Sequence, residues 1–186
     1  MKNYYFEKEK IEKRLFKYPC VDTNTRFLSN KKICVFGNND CIPLSSLENI
    51  GACVLLNPGN KDTSFSNIGI VFPPKTTKQG EELYFEILDY YVEILQLLVH
   101  KQKSVEGYRH IVVIMPPEAN KYSIEYDMMA YYAIYGLTKG LGKRYAEYGL
   151  FVNGLITNLS NPMAIEYIRY LVSDNACNIV GQVIEI

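Results

Sequence analysis

An aspartate and a tyrosine four residues apart, Asp127 and Tyr131, form the clearest chemical pair in this sequence. They fall in a predicted helix, where residues i and i+4 share one face, so a carboxylate and a phenol could together bind a ligand or act as an acid/base pair. Tyr126 is a further candidate beside them. The alternative is structural, with an aspartate stabilised by the helix dipole and a tyrosine packed with its hydroxyl satisfied. The spacing leaves both interpretations open.

Alternating strands and helices must position this pair. Short apolar runs bounded by glycine or proline predict buried strands at 32–36, 53–56, 68–72, 110–115, 150–156 and 181–186. Helices are predicted at about 45–50, 81–101 and 131–148, the last ending at Gly149, and from Pro162 onward. This order predicts an α/β fold, a doubly wound and mostly parallel sheet with helices on both faces.

The carboxyl ends of the strands in such a sheet form a crevice in which ligands bind. The predicted elements bring a set of polar side chains to this edge: Asn38, Asp40, Glu118, Tyr126, Asp127, Tyr131, Asn153 and Thr157. His100 and His110 flank the loop between the first long helix and the strand that follows it. We expect a surface or helix-end role for both histidines rather than a catalytic one.

The composition excludes several classes of protein. With 186 residues, 48% of them hydrophobic, and no apolar run of bilayer length, the sequence predicts a soluble globular domain without a membrane segment. A formal net charge of +0 gives no basic field for nucleic acid. The cysteines are odd in number and lack CxxC spacing, which predicts neither disulfides nor a metal site. Reduced thiols and the lack of a secretory signal pattern predict a cytoplasmic protein.

Residues 1–30 precede the first core strand and are predicted to form an arm ahead of a domain at 31–186. Its apolar residues fit one stripe of a short helix that ends at Pro19: Tyr5, Ile11, Leu15 and Phe16. Such a helix either packs on the domain or binds a partner.

Residues 131–156 resemble the helix-then-strand part of the short-chain dehydrogenase/reductase family. Residues 136–139 (GLTK) match its helix landmark, and residues 149–153 (GLFVN) match its step into the next strand. Residues 167–186 are similar to its closing helix, turn and strand. The resemblance covers 31–186 with gaps, and it implies a Rossmann-like domain of this family's type.

The resemblance also implies that the catalytic residues of the family are replaced. Counted back from both landmarks, the family's tyrosine falls on Asp127 and its lysine on Tyr131, and Met115–Glu118 stand near the expected serine. Without the lysine, no cation lowers the pKa of a phenol there. Tyr135 and Lys139 do spell YxxxK, but eight residues downstream, about 12 Å along the helix and roughly 80° around it. We expect this second pair to lie away from the crevice.

The family's nucleotide-binding loop is similarly altered. Gly37 keeps the place of its first glycine, but Cys41 and Pro43 take the second and third, which crowds the approach of a pyrophosphate. Asn67 and Asn153 match two further family positions, so the candidate cofactor-binding remnants are Gly37, Asn67 and Asn153. No metal ligands are implied.

Two connections in this sequence are too short to contain segments that the family has there. Only residues 57–67 join the second and third strands, where the family has a helix, a strand and a helix beside the adenine ring. The substrate lid between the fifth strand and the last helix is also lost.

Together these features favour a non-catalytic protein, a scaffold or a partner subunit of an active oxidoreductase of the same family, with no cofactor. The resemblance implies assembly as a homo-oligomer or with a paralog through residues 81–101 and 127–148 and the C-terminal helix and strand. The alternative is an NAD(P)-dependent oxidoreductase, or a lyase or isomerase, that uses Asp127 and Tyr131. A binding module that uses the same crevice without turnover is a third possibility.

Overall fold

The computed structural model describes residues 28, 31–38, 45–48, 52–57, 67–78, 80–102, 107–115, 125–158 and 161–186. The arm predicted over residues 1–30 lies outside these residues apart from Leu28. Leu28 is fully buried, and its carbonyl accepts a hydrogen bond from the amide of Lys31 at 3.0 Å. It therefore anchors the chain directly ahead of the first strand.

Six parallel strands form one sheet. They are β1 (Lys32–Phe36), β2 (Cys53–Leu56), β3 (Ile68–Val71), β4 (Arg109–Met115), β5 (Leu150–Ile156) and β6 (Val183–Glu185), in the order β2-β1-β3-β4-β5-β6. The predicted bounds of β1, β2 and β5 are confirmed, and β6 is shorter than predicted. Because the strands are parallel, each connection has to cross a face of the sheet.

The strands bury side chains on both faces, because successive residues of a strand point to opposite sides. In β1, Ile33 and Val35 belong to one buried cluster, and Cys34 and Phe36 belong to the other. A sheet that is covered on both faces needs nearly continuous apolar strands, which is why the predicted runs do not alternate with polar residues.

The described residues form four helices, three of which contribute to the two clusters. They are α1 (Ser45–Glu48), α2 (Gly80–Gln102), α3 (Glu125–Tyr145) and α4 (Ala164–Leu171). Leu95 of α2 and Ile134 of α3 join one cluster, and Ile168 and Leu171 of α4 join the other. Fully burying each such aliphatic side chain contributes about 2 kcal/mol. Among these described helices, none has an apolar stretch long enough to cross a bilayer.

The ends of α3 and the start of α4 follow local chemistry. After α3, a 3-10 turn leads to Gly149, whose φ of 72° confirms the predicted left-handed cap. The helix predicted from Pro162 begins two residues later, at Ala164. The reason is a turn in which the side chain of Asn161 accepts a hydrogen bond from the amide of Met163 at 2.9 Å.

The predicted shortening of the family fold is confirmed where the chain is described. β2 is an edge strand of the described sheet, and β1 pairs directly with both β2 and β3. Residues 157–163 alone separate β5 from α4. The edge of the sheet beyond β2 and the region above β5 are therefore reduced.

Candidate functional site

The turn after β1 is closed by neighbouring backbone. Gly37 has a φ of 89°, a left-handed value that glycine adopts readily. A Cβ at this position would lie 2.3 Å from the carbonyl oxygen of Phe72 and 2.9 Å from that of Pro73. The amide of Phe72 also donates to the carbonyl of Phe36 at 2.8 Å, so the pairing of β1 with β3 continues past the strand ends. Glycine is needed here for this close internal contact.

Both described amides of this turn donate to acceptors of the protein itself. The amide of Gly37 donates to Oδ1 of Asn57 at 2.9 Å, and that of Asn38 donates to the carbonyl of Pro73 at 2.9 Å. Asn57 has a φ of 41°, and its own amide donates to the carbonyl of Val35 at 2.7 Å. A phosphate at such a turn requires backbone amides that point at it. These two amides are already engaged.

The remaining loops at this edge lie outside the described residues. Residues 39–44 include Asp40, Cys41 and Pro43, and residues 116–124 include Glu118. The predictions made for those four side chains stay predictions.

The candidate acid/base pair lies at the start of α3. The side chains of Tyr126 and Asp127 lie outside the described residues, although the helix backbone there is described. The ring of Tyr131 is half-buried, stacked on Tyr135 with centroids 6.4 Å apart and edge-on to Tyr132 at 5.3 Å. Tyr131 is thus part of an aromatic cluster, and its pairing with Asp127 stays a prediction.

The YxxxK residues, Tyr135 and Lys139, contact each other. Nζ of Lys139 lies 3.4 Å from the hydroxyl of Tyr135 and 5.0 Å from the centre of its ring. One turn on, Thr138 packs against Gly154 inside β5, where a Cβ would lie 3.4 Å from its methyl group. The pair is therefore on the part of α3 that lies alongside the strand. A cation–π contact combined with a long hydrogen bond accounts for the arrangement.

The side chain of Asn153 connects β5 to the segment before β6 through hydrogen bonds. It is buried, its Nδ2 donates to the carbonyl of Ile179 at 2.9 Å, and its Oδ1 accepts from the amide of Gln182 at 3.0 Å. The side chain thereby satisfies two backbone groups that β5 and β6 leave unpaired. In this fold its side chain holds internal backbone.

Asn67 lies on the opposite edge of the sheet from Gly37. It directly precedes β3, and its carbonyl accepts a hydrogen bond from the amide of His110 at 2.9 Å. The structure therefore places Asn67 at the amino end of β3, away from the carboxyl ends of the strands where Gly37 lies. Thr157 does follow the end of β5, but its hydroxyl is buried and donates to the carbonyl of Asn158 at 3.1 Å.

His110 is fully buried, so its predicted surface role is wrong, whereas His100 is exposed as expected. Nε2 of His110 lies 3.7 Å from Oδ1 of Asp174, which also contacts Nζ of Lys31. Because 3.7 Å is longer than a hydrogen bond, Asp174 acts on the imidazole as a nearby charge. Burial, with a smaller contribution from Lys31, lowers the pKa of His110 to about 4. The ring is neutral at pH 7 and shielded from any substrate.

A second buried polar group, Tyr91, was not singled out by its sequence pattern. Its hydroxyl donates to the carbonyl of Ile114 at 2.7 Å near the carboxyl end of β4, and burial raises its pKa well above 10.0. A phenol that is buried and neutral in this way stabilises the contact of α2 with β4 and does not exchange protons with a ligand.

An open groove of about 290 Å³ lies between the two long helices. Side chains of α2 and α3 line it: Val92, Leu95, Gln96, Val99, His100, Leu137, Leu141 and Tyr145. Its walls are mainly apolar, and two of its lining residues, Leu95 and Val99, also belong to the buried cluster that includes strand residues. Within the described ranges, no group of histidine, cysteine and carboxylate side chains could hold a metal ion.

At the level of sequence, no family model matches this chain, and no curated protein is similar enough to match. Solved structures do match. A short-chain dehydrogenase/reductase from Serratia marcescens is 15% identical with a TM-score of 0.63, over 86% of this chain and 96% of the other. A short-chain dehydrogenase from Escherichia coli, solved with NADPH, is 10% identical with a TM-score of 0.65, over 86% and 98%.

A third match is an NAD(P)-dependent gluconate 5-dehydrogenase from Beutenbergia cavernae with bound NADP. It is 15% identical with a TM-score of 0.63, and the match covers 86% of this chain and 96% of the other. At such low identity the likeness extends to the fold and not to the chemistry. The chain therefore has the fold of the short-chain dehydrogenases/reductases, a parallel Rossmann-like sheet with helices on both faces.

Proposed function

We propose that this chain is a non-catalytic protein with a short-chain dehydrogenase/reductase fold, which acts as an oligomeric scaffold or as a partner subunit of an active oxidoreductase of that family. The observation that carries the proposal is the turn after β1. There the amides of Gly37 and Asn38 are bonded within the protein, and backbone fills the space beside Gly37.

Two further observations support loss of the usual chemistry. Asn153 uses its side-chain amide to hold the segment before β6. In the family's register for the catalytic lysine stands Tyr131, which packs against other tyrosines. Neither group supplies the cation that lowers the pKa of a phenol to a value useful at neutral pH.

Assembly would use the helix pair at residues 81–101 and 127–148 and the C-terminal helix and strand. The groove between the paired helices offers mainly apolar surface. No disulfide joins the described cysteines Cys34, Cys53 and Cys177, which fits a reducing compartment, and we place this role in the cytoplasm.

A titration with NADH and NADPH tests the absence of cofactor binding. We expect no saturable heat in calorimetry and no rise in the unfolding temperature at concentrations up to about 1 mM, the upper range of common Michaelis constants. A bound dinucleotide at one hundred times its Kd would stabilise the fold by about 2.7 kcal/mol, which a thermal scan detects readily. Saturable binding of either dinucleotide would overturn the proposal.

The partner role has its own test. The purified chain is mixed with an intact short-chain dehydrogenase/reductase from the same organism, and the molar mass of the mixture is measured by light scattering. A mixed oligomer whose oxidoreductase activity differs from that of the partner alone supports the subunit role. A chain that is monomeric both alone and in the mixture contradicts it.

The alternative is an NAD(P)-dependent oxidoreductase, or a lyase or isomerase, that uses Asp127 and Tyr131. It is favoured by solved structures of this fold that contain NADPH or NADP. This alternative predicts binding of a dinucleotide or a metabolite, and turnover that Asp127→Asn abolishes without unfolding the protein.

A further inference from the structure

Within the described sheet, β2 has a neighbouring strand on one side only. It pairs with β1, and its other side forms the outer edge of the sheet. We propose that β2 of a second copy of this chain pairs antiparallel with this edge, about a twofold axis at Leu55, and joins the two sheets into one. The inference goes beyond the assembly role proposed above, because it involves neither the long helices nor β6, which lies at the opposite edge.

The backbone of β2 directs two of its residues away from β1. The amide of Cys53 donates to a carbonyl directly ahead of β1 at 3.0 Å, and the amide of Asn57 donates to a carbonyl of β1 at 2.7 Å. Successive residues of a strand direct their backbone groups to opposite sides, so Leu55 also faces β1. The N–H and C=O groups of Val54 and Leu56 therefore point outward, where they can bond to a further strand.

An identical strand supplies the matching groups when it runs antiparallel. With the axis at Leu55, Val54 of one copy lies opposite Leu56 of the other, and the residues of each such pair exchange both of their backbone hydrogen bonds. Leu55 then lies opposite its own counterpart as a pair without hydrogen bonds. The outward groups of both strands are thus satisfied by the same symmetric contact.

The side chains of β2 favour the same partner. Leu56 is 56% exposed, whereas Val54 and Leu55 are half-buried on opposite faces of the sheet. Pairing places Leu56 of each copy beside Val54 of the other on one face, which removes apolar surface from water. No residue of β2 is charged or is a proline, the residues that commonly protect an edge from pairing. An identical strand therefore meets no like charge.

Sedimentation of the purified chain over a range of concentrations tests the proposal. Because two short strands bury little area, we expect a weak, reversible dimer. Leu56→Pro should raise its Kd about tenfold or more, since proline lacks the outward N–H at two symmetric positions while the bonds of β2 to β1 are kept. Leu56→Val keeps the N–H and an apolar side chain, and as the matched control it should change Kd by no more than about threefold.

Hydrogen exchange distinguishes a second copy from another segment of the same chain on this edge. The amides of Val54 and Leu56 should exchange quickly in dilute protein and more slowly as its concentration rises. The amide of Leu55, which faces β1, should stay protected throughout and serves as the internal control. Protection of Val54 and Leu56 in the dilute monomer would show that the chain covers its own edge, and it would overturn the proposal.

Two results of sedimentation also overturn the proposal. One is a chain that stays monomeric at all concentrations, and the other is a dimer that survives Leu56→Pro. In the second case the dimer uses another surface, so the assembly role proposed above is retained. A chain that is monomeric alone can still bind a paralog in the mixing experiment, which keeps the failures of the two proposals distinguishable.

Discussion

The side-chain oxygen of Asn57 accepts a hydrogen bond from the backbone amide of Gly37 at 2.9 Å. The two residues follow neighbouring strands, β2 and β1, whose carboxyl ends meet at one edge of the sheet. An asparagine at the end of β2 thus occupies an amide that would otherwise point at a ligand of the turn. The finding links the local geometry of a single turn to the proposed loss of dinucleotide binding.

Substitutions of Asn57 separate the effect of its side-chain hydrogen bond on stability from the effect of its positive φ. Asn57→Ala should lower the free energy of unfolding by about 2 kcal/mol, because it removes the hydrogen bond and places a Cβ residue at positive φ. Asn57→Gly should cost only about 1 kcal/mol, since glycine accepts that φ. Asn57→Asp keeps the acceptor and serves as the control in urea denaturation. An aspartate variant as unstable as the alanine variant contradicts this assignment.

Stability should depend on pH through His110. The unfolded imidazole has a pKa near 6.5 and the folded one about 4, so the unfolded chain binds more protons between these values. The unfolding free energy should therefore be constant with respect to this group above pH 6.5 and fall by about 3 kcal/mol as the pH drops toward 4.

Denaturation at several pH values measures this slope. His110→Gln should flatten it, although the variant loses stability at pH 7. The exposed His100 provides the control, and His100→Gln should keep the wild-type slope. If His110→Gln retains the full slope, another group is responsible.

Asn153 should behave as a structural residue. Asn153→Ala leaves the carbonyl of Ile179 and the amide of Gln182 without their partner, and we expect a loss of about 3 kcal/mol in unfolding free energy. The exposed Asn175 is the matched control, and Asn175→Ala should change stability by no more than about 0.5 kcal/mol. Equal, small effects for both alanine variants would show that the two hydrogen bonds of Asn153 contribute little to the unfolding free energy.

Two glycines of α3 should respond in opposite directions. A Cβ on Gly142 would lie 2.3 Å from Cα of Gly181 and 2.6 Å from the carbonyl of Val152, so Gly142→Ala should destabilise the fold by about 3 kcal/mol. Gly140 has open space there, and Gly140→Ala should stabilise the helix by up to about 1 kcal/mol. Thermal unfolding of the dilute protein distinguishes them, and loss of stability in Gly140→Ala would contradict the difference in surroundings.

The three glycines of α3 lie in different surroundings, and Gly136 and Gly140 are exposed. Gly142 is different, because it faces inward, against the loop before β6. Three glycines on one helix indicate close packing, but their positions along the helix do not identify the element that packs against each of them. Which neighbour approaches each glycine depends on how α3 is rotated over β5 and β6.

The sequence by itself determined the elements and their order, because apolar runs and turn residues act over a few positions. Runs such as Lys32–Phe36 and Leu150–Ile156 have the bounds that their flanking residues predict, and the length of residues 57–67 already leaves no room for further elements. The register of the family resemblance also predicts that its reactive residues are replaced here. The tertiary structure alone decided what the surviving residues contact.

Asn57 bonds to Gly37, Asn153 bonds to Gln182, and His110 is buried near Asp174. Each of these contacts connects residues that are distant along the chain, so no local sequence pattern predicts it. Asn67 shows the same dependence, since the sequence fixes its identity but the start of β3 fixes the edge of the sheet on which it lies. Burial and hydrogen bonding depend on which elements pack together, and packing is a property of the whole sheet with its helices.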